Sequence, residues 1–251
     1  MLIATNAIVL KRIPYSETSL ICRLLTKEKG KITILAKGAK GPKKTNSSIL
    51  EPLNHIHVQY YHKNSREIQL LKEAAFIKYY STIRKNLHRI ILALTVVDMI
   101  DKCTLDSNPH PILYRLGWRV LDKLNDENQN QWKIFIFFLY HLSLRLGFMP
   151  NLSNCSKCNS KITKGGINKS TGELICVECI SHTEIQIRNI LILNKLINLH
   201  LDELDRLSIE KKDILDSIQL LDTFLSYHIE GSNKVKSMHM VRNILNDNKE
   251  L

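Results

Sequence analysis

Four cysteines constrain this chain more than any other feature. Cys155-x2-Cys158 and Cys176-x2-Cys179 are two tight pairs with seventeen residues between them. Two residues between thiolates let one turn present both sulfurs to one metal ion, and two such turns complete a tetrahedron. The spacing predicts a four-Cys zinc ribbon over residues 150–181, with one structural Zn2+ held by Cys155, Cys158, Cys176 and Cys179. Four thiolates leave no open position for water, so the expected role is structural rather than catalytic. Asn159 follows the second Cys, and Gly165-Gly166 and Gly172 lie between the pairs, which suits turns that need positive φ.

Other uses of paired cysteines fit less well. Disulfides need an oxidising compartment. The opening MLIATNAIVLKR has neither a basic leader nor a small-residue cleavage site, so the expected setting is the cytoplasm. Ferredoxin clusters space their cysteines differently. A thioredoxin-like pair needs a single C-x-x-C in a βαβ setting. Cys22 and Cys103 stand alone in apolar segments and read as small buried hydrophobes. The longest unbroken apolar run, Ile134–Tyr140, is far short of the roughly 18 residues of a membrane span. No membrane partner is expected.

Charge is distributed as unevenly as the cysteines. The 251 residues carry 36 Lys+Arg against 24 Asp+Glu, a net of +12. Residues 1–80 hold 14 basic and 5 acidic side chains, a net of +9, and residues 81–251 hold 22 against 19, a net of +3. Clustered cations favour an anionic partner, and nucleic acid comes first because long-range attraction and counterion release both reward clustering. A membrane surface fits less well, because these cations sit among strand-like alternation rather than on one face of an amphipathic helix.

That alternation predicts strands at Leu2–Lys11, Ser19–Leu25, Lys31–Lys37, His55–Tyr61 and Arg66–Leu71, the last leading into Glu73–Ile77. Thr26-Lys27-Glu28-Lys29-Gly30 reads as a hairpin loop with Gly at a positive φ. Asn64-Ser65 marks another turn. Five short strands in 80 residues suggest a small closed unit, an OB-fold β-barrel rather than an open sheet.

Lys37-Gly38-Ala39-Lys40-Gly41-Pro42-Lys43-Lys44 is the densest basic feature, and no acid lies between Glu28 and Glu51. Its Gly and Pro residues exclude a helix. Lysine rather than arginine favours phosphate contact without base readout. The candidate nucleic-acid contacts are Arg12, Arg23 and Lys31 on the strands, Lys37, Lys40, Lys43 and Lys44 in the loop, and Tyr61 for stacking. Tyr60 falls on the face of Ile56 and Val58 and reads as core, while Tyr61 points the other way.

From Ser81 the apolar period becomes helical. A helix is predicted from Ser81 to Cys103, another opening at Pro109 and Pro111, and a central one at Gln131–Leu146 that is apolar almost all round. Gly147 then serves as its C′ residue. Further helices are predicted at Glu184–Leu199, Ser208–Glu230 and Asn233–Leu245. The expected architecture is an α+β multidomain chain: an OB-fold barrel over residues 1–80, then an all-α domain over residues 81–251 with the zinc ribbon inserted. No H-E-x-x-H or nucleophile elbow is present, so an enzyme is not expected. An RNA-binding or ribosome-associated module and a zinc-dependent hydrolase are the competing readings.

Several short motifs, taken in order, resemble the RecO family of bacterial recombination mediators. They are Tyr15-Ser16-Glu17-Thr18-Ser19, Thr26-Lys27-Glu28-Lys29-Gly30, Ala36-Lys37-Gly38-Ala39-Lys40 and Leu50-Glu51-Pro52-Leu53. Gly147-Phe148-Met149-Pro150 leads into the first Cys pair, and Tyr227-His228-Ile229-Glu230-Gly231 precedes Lys236-Ser237. The resemblance implies an N-terminal OB domain and a helical domain bearing zinc. It implies binding of single- and double-stranded DNA, annealing of strands coated by single-strand-binding protein, and work with RecR to load RecA. Expected partners are therefore DNA, RecR, the C-terminal tail of single-strand-binding protein and, indirectly, RecA, in a nucleoid-associated setting. Where the family often carries Arg after Ala-Lys-Gly-Ala, this chain has Lys40-Gly41.

Overall fold

The computed structural model describes residues 1–40, 46–149, 152–168, 171, 173–180, 185–187 and 191–247. Two compact units divide the chain, Met1–Asn125 and Asp126–Leu251.

The first unit opens with a closed barrel of β1 (Leu2–Tyr15), β2 (Ser19–Thr26), β3 (Gly30–Ala36), β4 (His55–Tyr61) and β5 (Ile68–Lys78), in the order β1-β2-β3-β5-β4. Only β3 and β5 run parallel. This is an OB-like barrel, as the alternation predicts. Strand β1 is longer than its apolar pattern suggests. A bulge between Val9 and Lys11 bends it, so Leu2–Ile8 pairs with β4 while the strand continues along β2 to Tyr15. Alternation buries Ala7, Val9, Cys22, Leu24, Ile34, Ile56 and Val58 in the barrel core. A one-turn helix, α1 (Asn46–Ile49), lies between β3 and β4.

Gly30 has φ +67°, and a Cβ there would stand 2.1 Å from the Asn108 carbonyl oxygen. The hairpin therefore needs glycine for both its conformation and its close approach to the 104–110 segment.

The helix predicted to run unbroken from Ser81 is two: α2 (Ser81–Lys85) and α3 (Leu87–Cys103). Asn86 breaks it by turning extended and accepting a hydrogen bond from the Arg89 amide, an N-cap in mid-pattern. α4 (Pro111–Leu124) starts with Pro at its first position, as expected. Asn125 accepts from the Thr82 and Ile83 amides and so ties the end of α4 to the start of α2.

In the second unit, α5 (Gln131–Arg145) is buried without interruption from Ile134 to Ser143, the central helix its composition predicts. Gly147 follows with φ +78°. Helix α7 (Lys211–His228) packs against α5, and α8 (Lys236–Asp247) is clamped to α7 by Arg242, which donates to both Asp222 oxygens at 2.6 and 2.8 Å. The helix predicted over Glu184–Leu199 is not formed as such. Ile185–Ile187 is a strand, β8, and among the described residues of this segment Leu191–Lys195 is helical, α6. β8 completes a three-stranded sheet with β6 (Gly165–Ile167) and β7 (Leu174–Cys176) in the order β7-β6-β8. Pairing of Ile185 and Ile187 with β6 outcompetes their helical periodicity.

Candidate nucleic-acid interface and metal centre

The turn after β3 presents Lys37 and Lys40 to solvent, with Gly38 at φ +63°. Lys40 fastens this turn to the β1–β2 turn: its amide donates to the Thr18 carbonyl at 2.9 Å and its Nζ to the Ser16 carbonyl at 3.0 Å. Lys43 and Lys44 lie outside the described residues. Tyr61 is 46% exposed while Tyr60 is 1% exposed, as alternation predicts.

The three strand cations have protein partners. Arg12 donates to the Ser47 carbonyl at 2.9 Å and lies 3.8 Å from Glu51. Arg23 grips both oxygens of Asp101 at 2.9 and 3.2 Å. Lys31 is buried, and its Nζ donates to the Asp101 and Thr104 carbonyls at 2.8 and 2.7 Å, with the Asp101 and Asp106 carboxylates at 3.3 and 3.7 Å. It neutralises the C-terminal carbonyls of α3 and serves the fold rather than a surface.

Closure of the barrel adds something the linear pattern does not reveal. The register sets Ile13 beside Ile21, Ile21 beside Leu35, Leu35 beside Leu70, Leu70 beside Tyr61 and Tyr61 beside Leu2. These residues form an apolar row on the outer surface, with Ile13, Tyr61 and Leu2 close to half exposed. A concave groove of about 830 Å³ lies at the N-terminal end of β3, lined by residues that include Lys29, Thr33, Tyr60, His62 and Arg66. The sequence signal for its outer wall was the Asn64-Ser65 turn flanked by Lys63 and Arg66.

In the second unit the four cysteines converge. All four sulfurs lie within 4.8 Å of one another, with Cys158 Sγ and Cys176 Sγ 3.7 Å apart. A tetrahedral ion with arms of about 2.3 Å has sulfur–sulfur edges of about 3.8 Å, whereas a disulfide would bring two sulfurs to about 2.0 Å. Asn159, at φ +57°, shapes the first turn, and its amide donates to the Cys155 carbonyl at 2.9 Å. Gly165 and Gly166 are strand residues in β6 rather than turn glycines, and Gly172 lies outside the described residues. Gly165 sits opposite Cys176, and a Cβ there would fall 2.0 Å from the Ile175 carbonyl oxygen, so close backbone approach is its reason.

Burial pushes the Cys155 thiol up, but the amides of Cys158, Cys176 and Lys157 outweigh it and bring the thiol down to about 6. The Ser160 hydroxyl and amide lower Cys158. Cys179 is pushed up to about 12 by Cys158 and Cys176. Crowding of thiols thus opposes ionisation of Cys179, and a bound cation would offset that repulsion. The arrangement can hold a metal ion. Cys22 and Cys103 differ: burial pushes their thiols up to about 11 and about 12, as inert core groups.

Residues 1–80 match the family described as Recombination protein O N terminal, and residues 84–238 match Recombination protein O C terminal. The chain belongs to the RecO family. Among its relatives are proteins named DNA repair protein RecO. That of Pelodictyon phaeoclathratiforme is 26% identical over 263 residues, 98% of this chain and 99% of the relative. That of Bacillus pumilus is 31% identical over 181 residues, 72% of this chain and 70% of the relative. That of Salinibacter ruber is 34% identical over 149 residues, 59% of this chain and 57% of the relative. The two RecO segments meet beside α2, inside the compact unit that runs to Asn125. No described helix is long and apolar enough to cross a membrane.

Proposed function

We propose that this RecO-family chain is a non-enzymatic mediator of DNA repair and homologous recombination. It binds single- and double-stranded DNA, anneals complementary strands coated by single-strand-binding protein, and with RecR helps load RecA. The observation that carries this reading is the match to both RecO segments on a chain whose first 80 residues close a basic OB-like barrel. Annealing needs no catalytic side chain. Neutralising two phosphate backbones lowers their repulsion, and base pairing drives the rest.

Within this reading Lys37, Lys40, Lys43 and Lys44 contact phosphates, and Tyr61 with its apolar row contacts bases, a stacking worth about 1–3 kcal/mol per base. Arg12 and Arg23, paired but partly exposed, keep supporting places, and Lys31 is left out because it is buried as well as paired. Residues 81–251 take the protein contacts with RecR and the tail of single-strand-binding protein. The metal is one structural Zn2+, which the four Cys would hold to fix the ribbon. The working location is the nucleoid in the cytoplasm.

The test is annealing of complementary oligonucleotides coated by single-strand-binding protein. The native chain should accelerate duplex formation, and changing Lys37, Lys40, Lys43 and Lys44 to Ala should abolish the acceleration. Equal rates with and without the protein would refute the reading.

A further inference from the structure

Most barrel cations whose positions are described have partners. Two in the groove at the start of β3 do not: among the described residues Lys29 and Arg66 make no ion pair and no side-chain hydrogen bond. They belong to different elements, the β2–β3 hairpin and the β4–β5 loop, and face one concavity. Asp106, which also lines it, has its charge offset by Lys31. Glu67 is the acid of the groove that has no ion pair or side-chain hydrogen bond among the described residues. The groove also holds Tyr60, whose buried hydroxyl has no partner among the described residues.

The loop carrying Arg66 is held in shape before any ligand arrives. Gln69, itself buried, accepts from the Lys63 amide at 2.9 Å and donates to the Lys63 and Arg66 carbonyls at 3.2 and 2.5 Å. The Arg66 amide donates to the Lys63 carbonyl at 3.0 Å. His62 bonds Asn64 at 2.8 Å, and its amide donates to the Met1 carbonyl at 2.8 Å. A cation on a loop fixed at this many points loses little entropy on binding.

We infer that this groove is a second anchor for single-stranded nucleic acid, with Lys29 and Arg66 on its phosphates. The inference rests on the barrel reading proposed above and extends it. The seven residues of β3 separate Lys29 from Lys37, a span of about 26 Å at the usual rise per residue. Between them lies the apolar row, in which Leu35 is flanked by Ile21 and Leu70. One strand pinned at both ends would cross that row, and its footprint would fall within the ~4–16 nucleotides usual for an OB barrel.

The experiment is a salt titration of binding to a labelled oligothymidine of about 16 nucleotides. The proteins compared are the full chain, Lys29→Ala with Arg66→Ala, Lys37→Ala with Lys40→Ala, and Glu67→Gln. All the altered side chains are surface groups, and a thermal melt checks that each variant is folded. Removing Lys29 and Arg66 should flatten the slope of log K against log salt by about 1.4, at about 0.7 per phosphate contact. Glu67→Gln should tighten binding by about two- to five-fold at low salt. If the Lys29/Arg66 pair leaves the slope unchanged while the Lys37/Lys40 pair flattens it, the second anchor is wrong and the barrel reading stands. If neither pair changes it, both fall. Unchanged affinity in Glu67→Gln would place the strand outside the groove.

Discussion

Lys31 brings an ammonium into a nearly closed site, and only its partners make that tolerable. Two backbone carbonyls and the Asp101 carboxylate lie within 3.3 Å of its Nζ. A buried charge of this kind is costly unless it is paired and hydrogen-bonded. Hydrogen bonds to charged groups are worth about 1.5–3 kcal/mol each in stability. Lys31→Ala should therefore lower the unfolding free energy by about 2–4 kcal/mol, because the Asp101 and Thr104 carbonyls lose their donor and Asp101 keeps only Arg23 as a counter-charge. Urea denaturation measures the loss. The salt slope of DNA binding should stay as in the native chain, which separates Lys31 from Lys37 and Lys40. In the sequence Lys31 reads as one more basic strand residue. Its partner Asp101 is seventy positions away, and only the fold brings the two together. Tyr61 was legible for the opposite reason, since strict alternation from Ile56 decides its side of the strand without any distant contact.

At the scale of elements, legibility follows how local the deciding interaction is. The barrel strands and α5 were readable because their apolar periods are set by their own residues. The 184–199 segment was not, because Ile185 and Ile187 gain a strand partner in β6 that helical spacing cannot announce. The metal module shows both cases. Its Cys spacing is local and specific, whereas the need for Gly165 is tertiary: the backbone of β7 leaves no room for a side chain. Gly165→Ala should force β6 away from β7 opposite Cys176 and cost about 1–3 kcal/mol. The check is metal release to a chromogenic chelator, which should be faster from the variant than from the native protein. Equal release rates would show that the β6–β7 pairing does not support the metal site.

Across the whole molecule, the charge excess and the candidate metal site belong to different compact units. The excess of +9 lies in residues 1–80, inside the first unit, and the four Cys lie in the second. Binding of a structural zinc ion by a small module contributes on the order of 10–16 kcal/mol. That is comparable to the whole stability of a typical domain, about 5–15 kcal/mol. Removing the proposed metal should therefore cost the second unit its ordered ribbon, while the barrel, which has no metal-ligating cluster among the described residues, keeps its core. With a strong chelator, limited proteolysis should open sites within residues 126–251 and leave residues 1–125 protected. Single-strand binding should persist with a salt slope within about one phosphate contact, roughly 0.7, of the native value. Annealing of protein-coated strands should fail under the same conditions, since the proposed protein contacts lie outside the barrel. If chelation instead flattened the slope, phosphate contacts would have to come from the lysines of the ribbon, and the assignment of DNA to the barrel alone would be wrong.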